Sequence, residues 1–135
     1  MEIEIFTLAD YATDPGFGKL TIIGTFDNLF APSFPAEHPT AFVVARIRFA
    51  NSEASLHRVE IRVLDTNGQN VHKPLVEDFD VKPNPNAAHT SYNIIWTLTN
   101  TRFEKAGVYA IEMHYDGEFR TGMKLTVALA PQANQ

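Results

Sequence analysis

Five histidines, His38, His57, His72, His89 and His114, are the side chains best suited to hold a metal or move protons near neutral pH. A zinc site needs about three or four such ligands converging on one point. No two of these histidines stand at a local ligand spacing, so they read as scattered surface groups. His114 and Glu112 share the outward side of one strand but have no third partner nearby in sequence. Glu77, Asp78 and Asp80 form a small acidic cluster of the oxygen-rich kind that calcium favours. Asp65-Thr66-Asn67-Gly68 looks like the start of a calcium loop, yet its glycine comes too early and no bidentate glutamate closes it. A solvated turn is the plainer account. Ser33, Glu37 and His38 come nearest to a nucleophile, an orienting acid and a base. The prolines around them hold the segment extended, and no Gly-x-Ser-x-Gly setting exists. The absence of cysteine removes disulfides, thiolate metal sites and thiol nucleophiles together. No catalytic residue, metal or cofactor is expected.

The arginines are more informative. Four of the six are Arg46, Arg48, Arg58 and Arg62, each alternating with apolar residues so that it points outward. If their strands pair, they form one basic stripe on a chain whose net charge is −5. Guanidinium forks suit carboxylate and phosphate. The competing account is a solvated face with Glu60 as a cross-strand partner. Phe42 and Val44 share that outward side. With Phe30, Phe34 and the prolines nearby they would form an exposed apolar patch, unless the proline-rich crossover folds over and buries them, which is the favoured outcome. Arg46, Arg48, Arg58, Arg62, Phe42 and Val44 are thus the candidate binding residues. The negative net charge argues against a general nucleic-acid binder, whose affinity comes from phosphate contacts.

The elements that must position these groups are strands. Alternation with period two runs through Leu56 to Leu64, with Val59, Ile61 and Val63 on one side and Arg58, Glu60 and Arg62 on the other. It returns in Ser91 to Thr101 (Tyr92, Ile94, Trp96 and Leu98 inward) and in Val108 to Tyr115 (Tyr109, Ile111, Met113 and Tyr115 inward). In Glu118 to Val127, Phe119, Thr121, Met123, Leu125 and Val127 share a side. Earlier strands cover Glu2 to Leu8, Lys19 to Phe26 and Ala41 to Phe49, and a weaker one lies between Asn70 and Val81. Asp116-Gly117 suits a two-residue hairpin turn, because both central residues need positive φ. Asp65 to Gly68 closes another turn, and Asp14 to Gly18 separates the first two strands. A helical turn is expected at Arg102 to Lys105. Phe30 to Pro39, with three prolines, reads as an extended crossover outside any ladder, and Lys82 to His89 as a surface loop.

The pattern predicts an all-β chain: an immunoglobulin-like, two-sheet antiparallel sandwich of seven or eight strands. Residues 1–130 form its single domain and 131–135 a frayed tail. At 135 residues, such a domain buries roughly two-thirds of its unfolded surface and needs no disulfide or metal to hold it. Phe103 to Tyr109 resembles the tyrosine corner of such sandwiches, with Tyr109 bonding back to the preceding turn. Ala9-Asp10-Tyr11-Ala12, then Gly18-Lys19-Leu20-Thr21-Ile22-Ile23-Gly24-Thr25-Phe26-Asp27, the proline-rich stretch to Pro39 and Gly107-Val108-Tyr109 carry a second likeness. Over nearly its full length the chain resembles an uncharacterised bacterial family of short immunoglobulin-like β-sandwich proteins, a domain of unknown function. The resemblance implies a fold and a bacterial origin, and no activity. The amino terminus has no basic flank or apolar core of a signal peptide, and no apolar run of about 18 residues exists, so neither secretion nor membrane insertion is expected. A cytoplasmic setting follows, consistent with the missing cysteines. The favoured role is a non-enzymatic protein-binding or assembly module, with a protein partner or self-association. The alternative is a small-ligand-binding protein or enzyme with its site in the loops at one end of the sandwich.

Overall fold

A computed structural model describes residues 1–131; residues 132–135, most of the expected tail, lie outside the described residues. Nine strands appear: β1 (Glu2–Thr13), β2 (Thr21–Thr25), β3 (Asn28–Ala31), β4 (Ala36–Ala50), β5 (Leu56–Leu64), β6 (Leu75–Asp80), β7 (His89–Phe103), β8 (Gly107–Tyr115) and β9 (Glu118–Leu129). They form two sheets, one ordered β2-β1-β4-β7 and the other β3-β9-β8-β5-β6. The chain is all-β, and no described helix is long and apolar enough to cross a membrane.

Alternation builds the core as expected. Val59, Ile61 and Val63 of β5 and Tyr109, Ile111 and Met113 of β8 face Val43, Ala45, Ile47 and Phe49 of β4, all nearly inaccessible to solvent. Ile94 and Leu98 join them from β7, with Tyr92 and Trp96 packed against the cluster. Each buried side chain of this size is worth about 1.5–3 kcal/mol of hydrophobic stabilisation. Tyr109 Oη donates to the Lys105 carbonyl at 2.7 Å, so the tyrosine corner forms. Asp116 and Gly117 have φ of 49° and 86°, as their hairpin turn requires.

Several expectations need correction. The sandwich is not wholly antiparallel, because β3 pairs with β9 in parallel. The count is nine strands, since the proline-rich crossover is mostly ladder: Phe30 lies in β3, β4 begins at Ala36, and only Pro32 to Pro35 stand outside both. Pro39 tolerates its place in β4 because its opposite number, Asn100, turns away with φ of 51°. The helical turn expected at Arg102 to Lys105 does not form. Among the described residues the one 3-10 turn is Asn51–Glu53, where the chain passes from β4 to β5. Phe119 does not face the core. A bulge between Thr121 and Phe119, opposite Met113 and His114, reverses the parity of β9. Phe119 is 60% exposed and sets its ring edge-on against His114 on the outer face.

Candidate functional site

The four arginines do not share a surface. Arg46 and Arg48 lie on β4 of one sheet, Arg58 and Arg62 on β5 of the other. The two strands never pair, so the single basic stripe does not form. Each guanidinium also meets a carboxylate of this chain. Arg46 reaches Glu4 at 3.4 Å and Arg48 contacts both Glu2 and Glu4. Arg58 makes two bonds to Asp78, at 2.8 and 3.2 Å, and Arg62 meets Glu60 at 3.0 Å.

The apolar pair beside them is covered. Val44 is wholly buried and Phe42 half-buried, with the Tyr11 ring edge-on to Phe42 at 5.6 Å. The cover shown on Phe42 is not the proline-rich crossover but Tyr11 of β1. The β1–β2 connection beyond it is tied to the same face, where Arg46 donates to the Gly18 carbonyl and Asn93 donates to Asp14 at 2.8 Å. Phe34 instead packs on the core, and Phe30 stays 63% exposed.

A constellation that sequence spacing could not show sits at the β8–β9 turn. Ser55 Oγ lies 3.0 Å from His57 Nε2, and His57 Nδ1 lies 2.7 Å from Asp116. Ser, His and Asp in that order suggest an activated nucleophile. Proton bookkeeping rejects it. Nε2 is also 2.7 Å from the Glu53 carbonyl, which can only accept. Nε2 must therefore carry a proton, and it has no lone pair left to take one from Ser55. Nδ1 faces a carboxylate and the Tyr115 oxygen, so it donates as well. Burial alone would lower the His57 pKa, but the bonds to Asp116 and Glu53 outweigh it and the net shift is upward. Burial tends to raise Asp116, yet the Arg58 backbone N–H and His57 bring it below the usual carboxylate range. Tyr115 is pushed up to about 12, by burial first and then by the charges of Asp116 and Glu53. The imidazolium also stacks on Phe49 and Tyr115, each with centroids 5.3 Å away. The node is a latch. It fastens the β8–β9 turn to β5 and to the 3-10 turn.

The corner end of the sandwich carries two clefts. One, of about 280 Å³, lies between β3 and β4 and is lined by Phe30, Pro32, Pro35, His38 and Phe103. His38 Nε2 is buried there without a hydrogen-bond partner. The other, of about 470 Å³, runs between the Asp65 turn and the corner. Its polar groups are largely committed: Asp65 accepts from Asn67 and Gln69 N–H, and Arg102 pairs with Glu104. Ser33 and Glu37 line the first cleft with His38, but no hydrogen bond joins any two of the three. Among the described residues, no three His, Asp or Glu side chains converge as metal ligands.

The remaining feature is backbone. A sheet's outermost strand leaves one row of N–H and C=O groups without a ladder. Three of the four such strands are short or charged. β2 spans Thr21–Thr25, β3 spans Asn28–Ala31, and β6 carries Glu77, Asp78 and Asp80. The fourth is β7, running His89–Phe103, which among the described residues pairs with β4 alone. It contains no proline, lysine, aspartate or glutamate.

A family model matches residues 4–128. The chain belongs to this family of unknown function, DUF6941. No curated protein and no solved structure matches it. The DUF6941 match spans most of β1 and most of β9, so it covers both sheets, the latch and β7.

Proposed function

We propose that this DUF6941 chain is a non-enzymatic protein-binding or assembly module that works by adding a strand to β7. One observation carries the proposal: from Thr90 to Thr101 the long β7 edge carries none of the charges or prolines with which sheet edges are usually blunted. Main-chain hydrogen bonds would supply affinity, and alternate side chains on the added strand would supply choice. The arginines contribute little to this role, since each is matched by a carboxylate of its own chain. The sandwich is of the immunoglobulin-like kind in this reading, supported by the tyrosine corner. The setting is cytoplasmic and bacterial, supported by the lack of cysteine and by the family resemblance.

The test uses Thr97→Lys with Thr99→Lys, two exposed positions on β7. Partners recovered on the immobilised wild-type chain from native extract should be lost on the double variant, which circular dichroism should show to be folded. Equal recovery on both would remove the β7 edge from the proposal. A second reading, a small-ligand site at the corner end, has one observation in its favour: the unpartnered His38 Nε2 beside the first cleft. Saturation by a single compound, abolished by His38→Ala, would establish it.

A further inference from the structure

We infer that the strand added to β7 is β7 of a second copy, paired antiparallel about a twofold axis at Ile95. The inference rests on the strand-addition reading and names its partner. Between His89 and Arg102 β7 carries no charge from Thr90 to Thr101, and the backbone turns at Asn100 with φ of 51°, which leaves Thr90 to Thr99 as the straight uncharged stretch. Residue-centred registers at Ile94 and Ile95 overlap equally within it, and only the Ile95 centre pairs Asn93 with the polar Thr97 instead of with Ile95. A centre on a residue also keeps in-facing side chains opposite in-facing ones.

The pairs that result are compatible. On the outer face Ile95 meets its own copy, Asn93 meets Thr97, and Ser91 meets Thr99. On the core face Ile94 meets Trp96, and Tyr92 meets Leu98. Polar pairs with polar and apolar with apolar, and no charge lies within the register. A strand of opposite charge has nothing here to recognise, whereas a second copy matches at every position.

A separate observation favours a protein surface at this edge. Phe17, at 81% exposure, is the most exposed large apolar side chain of the described residues. It sits in the β1–β2 connection that Asp14 anchors to Asn93 of β7. An exposed aromatic ring in a connection tied to the edge strand offers apolar area for a contact. The neighbouring edge, β6, stays out of the pairing. Asp78 and Asp80 are held by Arg58 and Lys82, and Glu77 keeps that edge negative in both copies. The joined sheet therefore has eight strands, β2-β1-β4-β7 and their copies, while the second sheets remain separate.

The experiment is sedimentation velocity of the whole chain from micromolar to millimolar concentration. Wild type should pass from monomer to dimer. Ile95→Lys and Ile95→Glu should each stay monomeric, because like charges meet on the axis, and an equimolar mixture should dimerise again. Phe17→Ser should weaken the dimer by about tenfold, the loss of one aromatic anchor. If the Ile95 variants do not fold, the exposed Thr97→Lys serves with hydrogen exchange: β7 amides should be protected at high concentration in wild type only. A wild type that stays monomeric throughout would overturn the inference, and so would a dimer whose β7 amides gain no protection. In either case, partner recovery that still depends on Thr97 and Thr99 would leave the strand-addition module standing.

Discussion

Asp116→Asn isolates the charge in the latch. Position 116 has φ of 49°, a left-handed backbone that asparagine adopts about as readily as aspartate. The side chains are nearly the same size. The amide oxygen can keep the bond from the Arg58 N–H, now 2.8 Å long. The other oxygen becomes an NH2 group aimed at His57 Nδ1. Nδ1 must then lose its proton and accept, leaving a neutral imidazole that still donates from Nε2 to the Glu53 carbonyl. A charge-assisted bond of about 1.5–3 kcal/mol is exchanged for a neutral one of about 0.5–1.5 kcal/mol. Asp116 has 44% of its side chain exposed, so solvent screening reduces the difference to about 0.5–1 kcal/mol.

The pH dependence gives the sharper sign. In wild type the folded His57 pKa stands above its ordinary 6.5. Its stabilisation is fully present below the unfolded value and is lost as pH rises through the folded one. The variant lacks that term. It should be less stable than wild type by about 0.5–1 kcal/mol at about pH 5.5, and the gap should close by about pH 9. Urea unfolding followed by the fluorescence of Trp96, the only tryptophan, measures both arms. His72, whose pKa burial lowers, titrates in both proteins and cancels in the difference. A gap that stays constant from acid to alkaline pH would refute the assignment of an imidazolium, as would an unchanged His57 titration by NMR.

Three further outcomes test the packing. Ile61→Ala, in a site with no solvent access, should cost about 2–5 kcal/mol and show as a lower urea midpoint. Tyr109→Phe removes the bond to the Lys105 carbonyl and should cost about 1 kcal/mol by calorimetry, with the fold intact. Gly24→Ala should destabilise by more than about 1 kcal/mol in the same assay, because φ is 71° and its Cβ would stand 2.6 Å from Asp10 Oδ2.

The core was legible because strand parity is local. Val59, Ile61 and Val63 declare a face without help from any other segment, and the same holds for Tyr109, Ile111 and Met113. Parity fails where a bulge intervenes, and nothing in Phe119-Arg120-Thr121 marks one. The parallel β3 was hidden for another reason: four residues followed by a proline give no alternation to read. The latch was beyond reach because its members lie in separate segments, at Glu53, His57 and Asp116. One signal was present: aspartate at the first position of a left-handed turn has a carboxylate free to bond elsewhere. The stripe of arginines failed on topology. Outward parity was right for all four, but β4 and β5 belong to different sheets, and no pattern along a strand says which neighbour it takes.

The same limit explains why the charged side chains do not add up to the expected stripe. Residues that attract notice in a sequence are charged, and here the four arginines of the expected stripe are each matched to a carboxylate. Arg46 and Arg48 meet Glu2 and Glu4 across the β1–β4 ladder; Arg58 and Arg62 meet Asp78 and Glu60. Pairs on exposed faces add little stability, but they quench the fields that would draw an ionic partner. The peptide groups along the free side of β7 have no ladder partner, a feature that composition cannot register, since every residue carries such groups. A threonine-rich strand of ordinary sequence thus becomes the edge on which the proposed strand addition rests, simply by standing last in its sheet.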